Sequence, residues 1–310
     1  MNDLAPINQH RLFGLSSYLL ELIRLYRNKI YPNKLLLSGQ KGIGKATLAY
    51  HFINYVLSQN EDNKYDLEKF EINPKNSTFK TILNKSNTNL INIDISHDKK
   101  SIDIDQIRNL IINLNKTSFN DKPRFVLIDN IELLNTNTTN ALLKILEEPN
   151  FNIYFILINN HKKNFPTLLS RCIDFKINLS NNECLEIIYN LFDEKLENLT
   201  NIDLINYYFT PGNIYHLLIF ARKYDYNLLE LSLKDFLKLL IKENHYKNDP
   251  FIRYIIFDLI EFYFTKLNIS FSKNIYEKYS YFLKRIADTK TYNLDENSLF
   301  VEFEEEVLNG

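Results

Sequence analysis

Short apolar runs alternate with amphipathic stretches along the first 178 residues. The apolar runs have the length and composition of buried strands and lie at Lys34–Ser38, Leu90–Ile95, Arg124–Asp129, Ile153–Ile158 and Ile173–Ile177. Helical spacing of apolar residues predicts helices at Leu15–Tyr31, Lys45–Leu57, Ile104–Asn115 and Thr138–Glu148. This alternation predicts a parallel sheet with crossover helices. Residues 60–89 are polar and predict no definite element.

The strand pattern stops near residue 181, and only helical patterns follow. They cover 182–192, 201–208, 213–222, 227–243, 251–267, 274–288 and 296–308. Breaks near 178–181 and 222–227 divide the chain into three predicted domains. These are an α/β domain over 1–178, a small helical domain over 179–224 and an all-helical domain over 225–310.

Aromatic residues crowd the last helical domain. They are Phe251, Tyr254, Phe257, Phe262, Tyr263, Phe264, Tyr276, Tyr279, Tyr281 and Phe282. The stretch 251–264 is apolar all round, so it must be buried on several sides. Two interpretations remain open: the core of the domain itself, or an oligomer interface, where Tyr and Phe are enriched.

Composition narrows the function classes. With 37 Lys+Arg against 38 Asp+Glu, the net charge of -1 excludes nucleic-acid binding by bulk positive charge. A local basic face is still allowed, and Lys99-Lys100 or Lys162-Lys163 are candidates, although lysine pairs are commonly just solvated surface. Two cysteines cannot form a disulfide framework or a four-cysteine zinc site. No signal peptide or membrane span is readable, so we expect a cytoplasmic protein.

The loop between the first strand and the second helix is rich in glycine. Gly39, Gly42 and Gly44 are half of the six glycines in the chain, and Lys45 opens the helix. Glycines let backbone N–H groups turn inward around a phosphate, and a helix N-terminus adds partial positive charge. This is the context of a P-loop, in which Lys45 would reach the outer phosphates. An ordinary glycine-rich turn is the competing interpretation.

The residue after the P-loop lysine departs from the pattern. A Ser or Thr hydroxyl normally binds Mg²⁺ there, but this chain has Ala46. Thr47 comes one residue late and would point about 100° away around the helix. The pattern is therefore compatible with phosphate binding but lacks the usual magnesium ligand.

Asp129 ends the apolar run Arg124–Asp129. An acid at the carboxyl end of a sheet strand is where P-loop proteins hold their metal, and a helix cap is the competing interpretation. The next residue, Asn130, is a neutral amide that cannot act as a general base, and Glu132 is expected to point elsewhere. The predicted, degenerate nucleotide site comprises Gly39, Gly42, Gly44, Lys45, Thr47 and Asp129.

Two further motifs follow in order. Residues 140–149 read Asn-Ala-Leu-Leu-Lys-Ile-Leu-Glu-Glu-Pro, and Ser170-Arg171-Cys172 follows the next strand. By physics alone these are an amphipathic helix, a surface arginine in a salt bridge and a small buried thiol.

Taken together, these motifs resemble the bacterial clamp-loader AAA+ family of DNA polymerase III, and its delta-prime branch most closely. Arg11-Leu12-Phe13-Gly14 and Ile104-Asp105-Gln106-Ile107-Arg108 add to the resemblance, which spans residues 10–178. It implies an AAA+ P-loop domain over 1–178, a helical lid over 179–224 and an oligomerising collar over 225–310. The last two fit by length and pattern only.

The resemblance also implies a role for Arg171. This residue would be an arginine finger that reaches ATP bound by a neighbouring ATPase subunit, with Ser170 and Cys172 positioning it. A guanidinium suits the role because its planar, permanently charged donors fit γ-phosphate oxygens.

Two other positions correspond to nucleotide sensors of the family. Asn159 or Asn160 would occupy the sensor-1 place at the end of a strand. Gly212-Asn213 would lie where ATPase members carry the sensor-2 arginine.

The departures from the family pattern point the same way. Ala46, Asn130 and Asn213 each replace a group used for hydrolysis. The resemblance therefore implies a stator subunit that does not hydrolyse ATP but triggers its neighbour, needed to load the sliding clamp on primed DNA.

An active gamma/tau-type ATPase is the alternative; Ala46, Asn130 and the lack of residues beyond 310 for a polymerase-binding extension argue against it. The intact motif order argues against another P-loop enzyme, such as a small-molecule kinase.

The implied partners follow from the family. They are the gamma/tau ATPase and delta subunits in a pentamer, the sliding clamp, and primer–template DNA through the complex, with no membrane. No cofactor is required, and weak ATP or ADP binding stays open. Many relatives carry a four-cysteine zinc module over the segment that corresponds to 60–89, where this chain has no cysteine, so no zinc is expected.

Overall fold

The structure, a computed structural model, describes residues 5–95, 101–116, 120–148, 151–160, 166–205, 209–267, 273–292 and 294–309. The chain divides into two units. The first comprises Met1–Asn190 with Thr210–Gly212, and the second Leu191–Phe209 with Asn213–Gly310. The predicted domain boundaries near 178–181 and 222–227 stay predictions. Lys99-Lys100 and Lys162-Lys163 lie outside the described residues.

The first unit is built around a five-stranded parallel sheet, as the sequence predicts. Its strands are β1 (Lys34–Ser38), β2 (Leu90–Ile93), β3 (Arg124–Ile128), β4 (Ile153–Asn159) and β5 (Ile173–Lys176), in the order β2-β3-β4-β1-β5. Its helices are α1 (Ser16–Arg27), α2 (Lys45–Leu57), α3 (Ser77–Leu83), α4 (Ile104–Leu114), α5 (Thr136–Glu147) and α6 (Pro166–Leu169), and α7 (Asn181–Phe192) begins in it. The predicted α/β fold class is confirmed.

The three central strands, β1, β3 and β4, are largely buried, and their side chains alternate between the two faces of the sheet. Leu35 and Leu37 of β1 join the core that α1 and α2 cover. Leu36 joins the opposite core, which includes residues of α4 and α5. Strands buried on both faces read as continuous apolar runs, which explains why this pattern identified them. The sheet thereby fixes the strand ends that carry the predicted chemistry.

Asparagine and glutamate side chains hold the segment between α2 and β2. Asn76 is fully buried; its Oδ1 accepts hydrogen bonds from the N of Phe79 (2.7 Å) and Nδ2 of Asn54 (3.1 Å), and its Nδ2 donates to the carbonyl O of Asn63 (2.8 Å). Glu61 accepts from the backbone N of Ser77 at 2.8 Å. Polar side chains therefore organise the segment for which the sequence predicted no element.

Replacing Asn76 by alanine should lower the free energy of unfolding of this unit by about 2–4 kcal/mol. The change removes the N-cap of α3 and leaves buried donors without their acceptor. Urea unfolding of Asn76→Ala measures the loss. Asn84→Ala, at the exposed C-terminal end of the same helix, is the control and should stay within about 0.5 kcal/mol of wild type. Equal effects of the two variants would contradict this account of the segment.

The second unit is helical throughout its described elements. These are α8 (Leu196–Leu199), most of α9 (Pro211–Tyr224), α10 (Leu233–Lys242), α11 (His245–Asn248), α12 (Pro250–Leu267), α13 (Lys273–Tyr292) and α14 (Glu296–Phe303), followed by a π-helical turn at Glu304–Leu308. The single helix predicted over 201–208 is wrong. The described part holds a three-residue 3-10 turn at Ile202–Leu204, which the Asn201 side chain caps, and 206–208 lie outside the described residues.

The crowded aromatics pack largely against one another within the second unit. Phe264, Phe282 and Phe303 form a mutual cluster with ring centroids 5.4–5.9 Å apart, and all three are fully buried. This supports the interpretation of these residues as a domain core. Tyr276 and Tyr281 are exposed, so the interface interpretation stays a prediction for them.

Among the described helices, none is long and apolar enough to cross a membrane.

Candidate nucleotide site

The glycine-rich loop leads directly from β1 into α2. Gly44, in the left-handed conformation with φ +93°, is the N-cap residue of α2. Gly39 has φ +152°, and a Cβ added to it would lie 2.3 Å from the carbonyl O of Ile177. Glycine at position 39 is therefore dictated by close backbone approach. The structure has the strand–loop–helix context of a P-loop.

Lys45 turns back onto the loop that precedes it. Its Nζ donates hydrogen bonds to the carbonyl O atoms of Gly39 (2.9 Å) and Gln40 (2.5 Å). The side chain is buried, and burial lowers the pKa of Lys45 to about 8, while the nearby carboxylates of Asp129 and Glu132 act in the opposite direction. At neutral pH the amine is still mostly protonated.

Ala46 and Thr47 follow in the first turn of α2. The Ala46 methyl packs against the core that α1 and α2 share, so this position contributes to packing in place of a hydroxyl. Thr47 is half-buried.

The segment that opens α9 is hydrogen-bonded to the phosphate loop. The Thr210 hydroxyl donates to the carbonyl O of Lys41 (3.0 Å), and the backbone N of Gly212 donates to the carbonyl O of Gly42 (2.9 Å). A Cβ on Gly212 would lie 2.7 Å from Cα of Gly42. Gly212 is thus a contact residue of the loop. Asn213 belongs to the second unit.

Asp129 lies immediately after β3 and is held by two amide donors. Its Oδ1 accepts hydrogen bonds from the backbone N of Asn130 (2.7 Å) and Nδ2 of Asn160 (3.2 Å). Burial, and then the charge of Asp94, raise the pKa of Asp129 to about 6, against these hydrogen bonds and Lys45. The ionised carboxylate is therefore held in an unfavourable environment at neutral pH.

Asn130 cross-links the ends of three strands. Its Nδ2 donates to Oδ1 of Asp94 (2.8 Å), and its Oδ1 accepts from Nδ2 of Asn160 (3.0 Å). Its backbone is left-handed, with φ +55°, a conformation that asparagine tolerates better than most residues. The neutral amide beside Asp129 therefore has a structural role at this edge of the sheet.

Of the two candidates for the sensor-1 place, Asn160 is the residue that contacts Asp129. Asn159 is the last residue of β4 and pairs with Ser38 of β1. The expectation that Glu132 points elsewhere is wrong, since its Oε2 accepts a hydrogen bond from the backbone N of Asn160 at 3.2 Å. The left-handed turn at Asn130 redirects the chain and brings Glu132 back to the site.

Arg171 lies in the turn between α6 and β5, with an acceptor for each guanidinium nitrogen. Nε and Nη2 donate to Oε1 of Glu147 at 3.0 and 2.5 Å, and Nη1 donates to the carbonyl O of Thr167 (2.8 Å) and Oγ of Ser170 (3.1 Å). The side chain is about one-third exposed (32%). Cys172 is buried, and burial raises the pKa of its thiol to about 11. The motifs 140–149 and 170–172 therefore meet through an ion pair.

Sequence reasoning missed several polar residues that join these sites. They are Asp94, Thr210 and Glu147. Asp94 directly follows a strand, as Asp129 does, which was a usable signal. In the described part of the chain, no group of three His, Cys, Asp or Glu residues could hold a metal ion.

Replacing Asp129 by asparagine should stabilise the first unit at neutral pH. The pKa of Asp129 is about 6 in the folded protein against 3.8 for an unperturbed aspartate, so the folded state binds the proton more tightly. Between these two pKa values, the contribution of Asp129 to stability falls as pH rises, and the cost persists above pH 6. We expect Asp129→Asn to raise the free energy of unfolding by about 1–3 kcal/mol at pH 7.5. The lower figure allows for the lost attraction between the Asp129 carboxylate and Lys45.

Urea unfolding at several pH values tests this. The gain should shrink towards zero as pH falls to about 4. Asp105→Asn removes an exposed carboxylate and should have no comparable effect. A loss of stability in Asp129→Asn at pH 7.5 would contradict the environment assigned to Asp129.

Comparison with known proteins agrees with the motifs. The profile of a family described as "DNA polymerase III, delta subunit" matches residues 16–181. DNA polymerase III subunit delta' of Buchnera aphidicola (subsp. Schizaphis graminum) is 26% identical over 268 residues, which is 79% of this chain and 76% of that protein. Subunit gamma of the same organism is 31% identical over 149 residues, 48% of this chain and 39% of its own length. A gamma subunit-related protein of Thermotoga maritima has a TM-score of 0.45 at 16% identity, covering 90% of this chain and 96% of that one.

Proposed function

Because this chain belongs to the DNA polymerase III delta subunit family, we propose that it is a delta-prime-type subunit of a bacterial clamp loader. In this role it helps to load the sliding clamp on primed DNA. It does so in a pentamer with gamma/tau ATPase and delta subunits, and it meets primer–template DNA through the complex. It does not hydrolyse ATP itself.

The observation that best supports a role without ATP hydrolysis is the amide side chain of Asn130, next to Asp129. Asn130, which lies where an ATPase of this group would hold a water-polarising glutamate, is engaged as an amide between Asp94 and Asn160. Ala46 packs into the core in place of a magnesium-binding hydroxyl. Lys45 and Asp129 could still hold a phosphate and a metal, so weak ATP or ADP binding is compatible with the site, but the general base is replaced.

Arg171 is the residue through which the subunit acts on its neighbour. Its guanidinium is partly exposed and lies between the Glu147 carboxylate and the turn that carries it. Planar donors of this kind stabilise the charge that develops on a transferring γ-phosphoryl group. We assign Arg171 as an arginine finger supplied in trans to ATP on the adjacent ATPase subunit.

Reconstitution tests the clamp-loader role. The ATPase and delta subunits of the same organism are mixed with clamp and primed DNA, with and without this chain. We expect a stable assembly and clamp loading only when the chain is present. Failure of the chain to enter the assembly, or equal loading without it, would overturn the proposal.

An active gamma/tau-type ATPase is the second candidate. The similarity to subunit gamma of Buchnera aphidicola and the presence of both Lys45 and Asp129 favour it. Ala46 and Asn130 disfavour it. Phosphate release from ATP is compared between a reconstituted loader that holds the wild-type chain and one that holds Lys45→Ala. A large fall with Lys45→Ala would support the ATPase, and an unchanged rate would support the stator.

A further inference from the structure

In the described part of the chain, the Glu147 carboxylate is the one charged group that accepts a hydrogen bond from the Arg171 guanidinium. The other two acceptors, Thr167 O and Ser170 Oγ, belong to the same turn as Arg171 and move with it. Glu147 is the last residue of α5, 24 residues earlier in the chain. The ion pair therefore connects the turn that carries Arg171 to a separate helix, α5.

Glu147 lies at the C-terminal end of α5, where the charge of a carboxylate is unfavourable without a nearby cation. Helix carbonyls give the C-terminal end of α5 a partial negative charge, which disfavours a carboxylate there. A cation beside Glu147 offsets that repulsion. The guanidinium supplies it through two N–H donors on one edge, Nε and Nη2, which both reach Oε1.

The same edge of the guanidinium is the one that binds phosphate oxyanions most effectively. Carboxylate and phosphate oxygens compete for paired N–H donors, because both are recognised by bidentate geometry. While the Nε–H and one N–H of Nη2 donate to Glu147, this paired edge is not available to a second anion. We propose that Glu147 is a restraining residue for Arg171, holding the guanidinium back until phosphate oxygens of a nucleotide on the adjacent subunit displace the carboxylate. This inference rests on the proposed arginine-finger role.

The restraint is weak enough to be reversible. Both partners are exposed to solvent, with relative side-chain exposures of 32% for Arg171 and 55% for Glu147. An exposed ion pair shifts an equilibrium by up to about fivefold. Releasing the restraint should therefore accelerate the step that Arg171 assists by about two- to fivefold, and no more.

Single-turnover ATP hydrolysis in a reconstituted loader with clamp and primed DNA tests the proposal. Glu147→Gln retains the shape and an acceptor oxygen but removes the charge. We expect a two- to fivefold higher rate constant than wild type. The same substitution in an Arg171→Ala background should have no effect, because the carboxylate acts only through the arginine. Glu21→Gln, which removes the carboxylate of the exposed Glu21–Arg24 pair, is the matched control and should leave the rate unchanged.

Each outcome has one meaning for the restraint. A rate in Glu147→Gln that is unchanged or lower would overturn it, and so would an effect that persists in the Arg171→Ala background. A rate that does not depend on Arg171 at all would instead overturn the arginine-finger role.

A second readout is independent of catalysis. In the isolated chain labelled with ¹⁵N-arginine, Glu147→Gln should speed hydrogen exchange of the Arg171 Nε–H, and Glu21→Gln should not.

Discussion

Replacing Arg171 by alanine should reduce ATP hydrolysis at the site facing this subunit by at least about a hundredfold. In the proposed role, the substitution removes a charged, planar donor that stabilises the charge developing on the γ-phosphoryl group of ATP on the adjacent subunit. The folded chain should tolerate it, because only an exposed ion pair and two further hydrogen bonds of one side chain are lost. Single-turnover phosphate release in the reconstituted loader, with clamp and primed DNA, measures the effect.

Arg171→Lys is the informative companion variant. A lysine retains the positive charge but not the fork of paired donors, so we expect it to recover only a small part of the activity. Urea unfolding of both variants should stay within about 1 kcal/mol of wild type. A rate for Arg171→Ala within twofold of wild type would remove the arginine finger from the account.

Replacing Gly39 by alanine should cost at least about 3 kcal/mol of folding free energy, or prevent folding of the first unit. The added Cβ would lie 2.3 Å from the carbonyl O of Ile177 and 2.8 Å from Cδ1 of Ile43. Ile177 is fully buried and its N donates to the carbonyl O of Ser38, so its backbone cannot shift without breaking the β1–β5 pairing. Thermal and urea unfolding measure the loss.

Gly44→Ala is the matched control for the Gly39 variant. Gly44 also has positive φ, but its added Cβ would meet only the Leu15 side chain, at 3.0 Å. We expect a smaller cost of about 1–2 kcal/mol, mainly from backbone strain, because the Leu15 side chain can move. If Gly44→Ala were the more damaging change, close approach of backbone at Gly39 would not be what selects glycine there.

The α/β part of the fold could be predicted because its three central strands, β1, β3 and β4, are largely buried and read as continuous apolar runs. Lys34–Ser38 and Lys45–Leu57 are strand and helix within the predicted limits, and the glycine loop joins them. The failure at 201–208 has a local cause: Asn201 caps a 3-10 turn, and this side-chain bond competes with continuation of a helix. Apolar spacing alone cannot detect that competition.

The candidate site was predicted in its parts but not in its connections. Asp129 and Asn130 were found from a strand-end acid and its neighbour, whereas Asp94 is 36 residues from Asn130 and joins it only through the β2–β3 pairing. The same limit applies to the Glu147–Arg171 pair. Each motif is legible in the sequence, but their contact depends on how α5 and α6 pack, which the sequence pattern does not encode.

The central claim is that this subunit acts in trans through Arg171 and not through its own phosphate loop. Steady-state ATP hydrolysis of the reconstituted loader with clamp and primed DNA, compared between wild type, Lys45→Ala and Arg171→Ala, tests it most directly. We expect a large fall for Arg171→Ala and a rate close to wild type for Lys45→Ala. A large fall for Lys45→Ala, with Arg171→Ala unchanged, would mean that the subunit turns over its own ATP and would contradict the account.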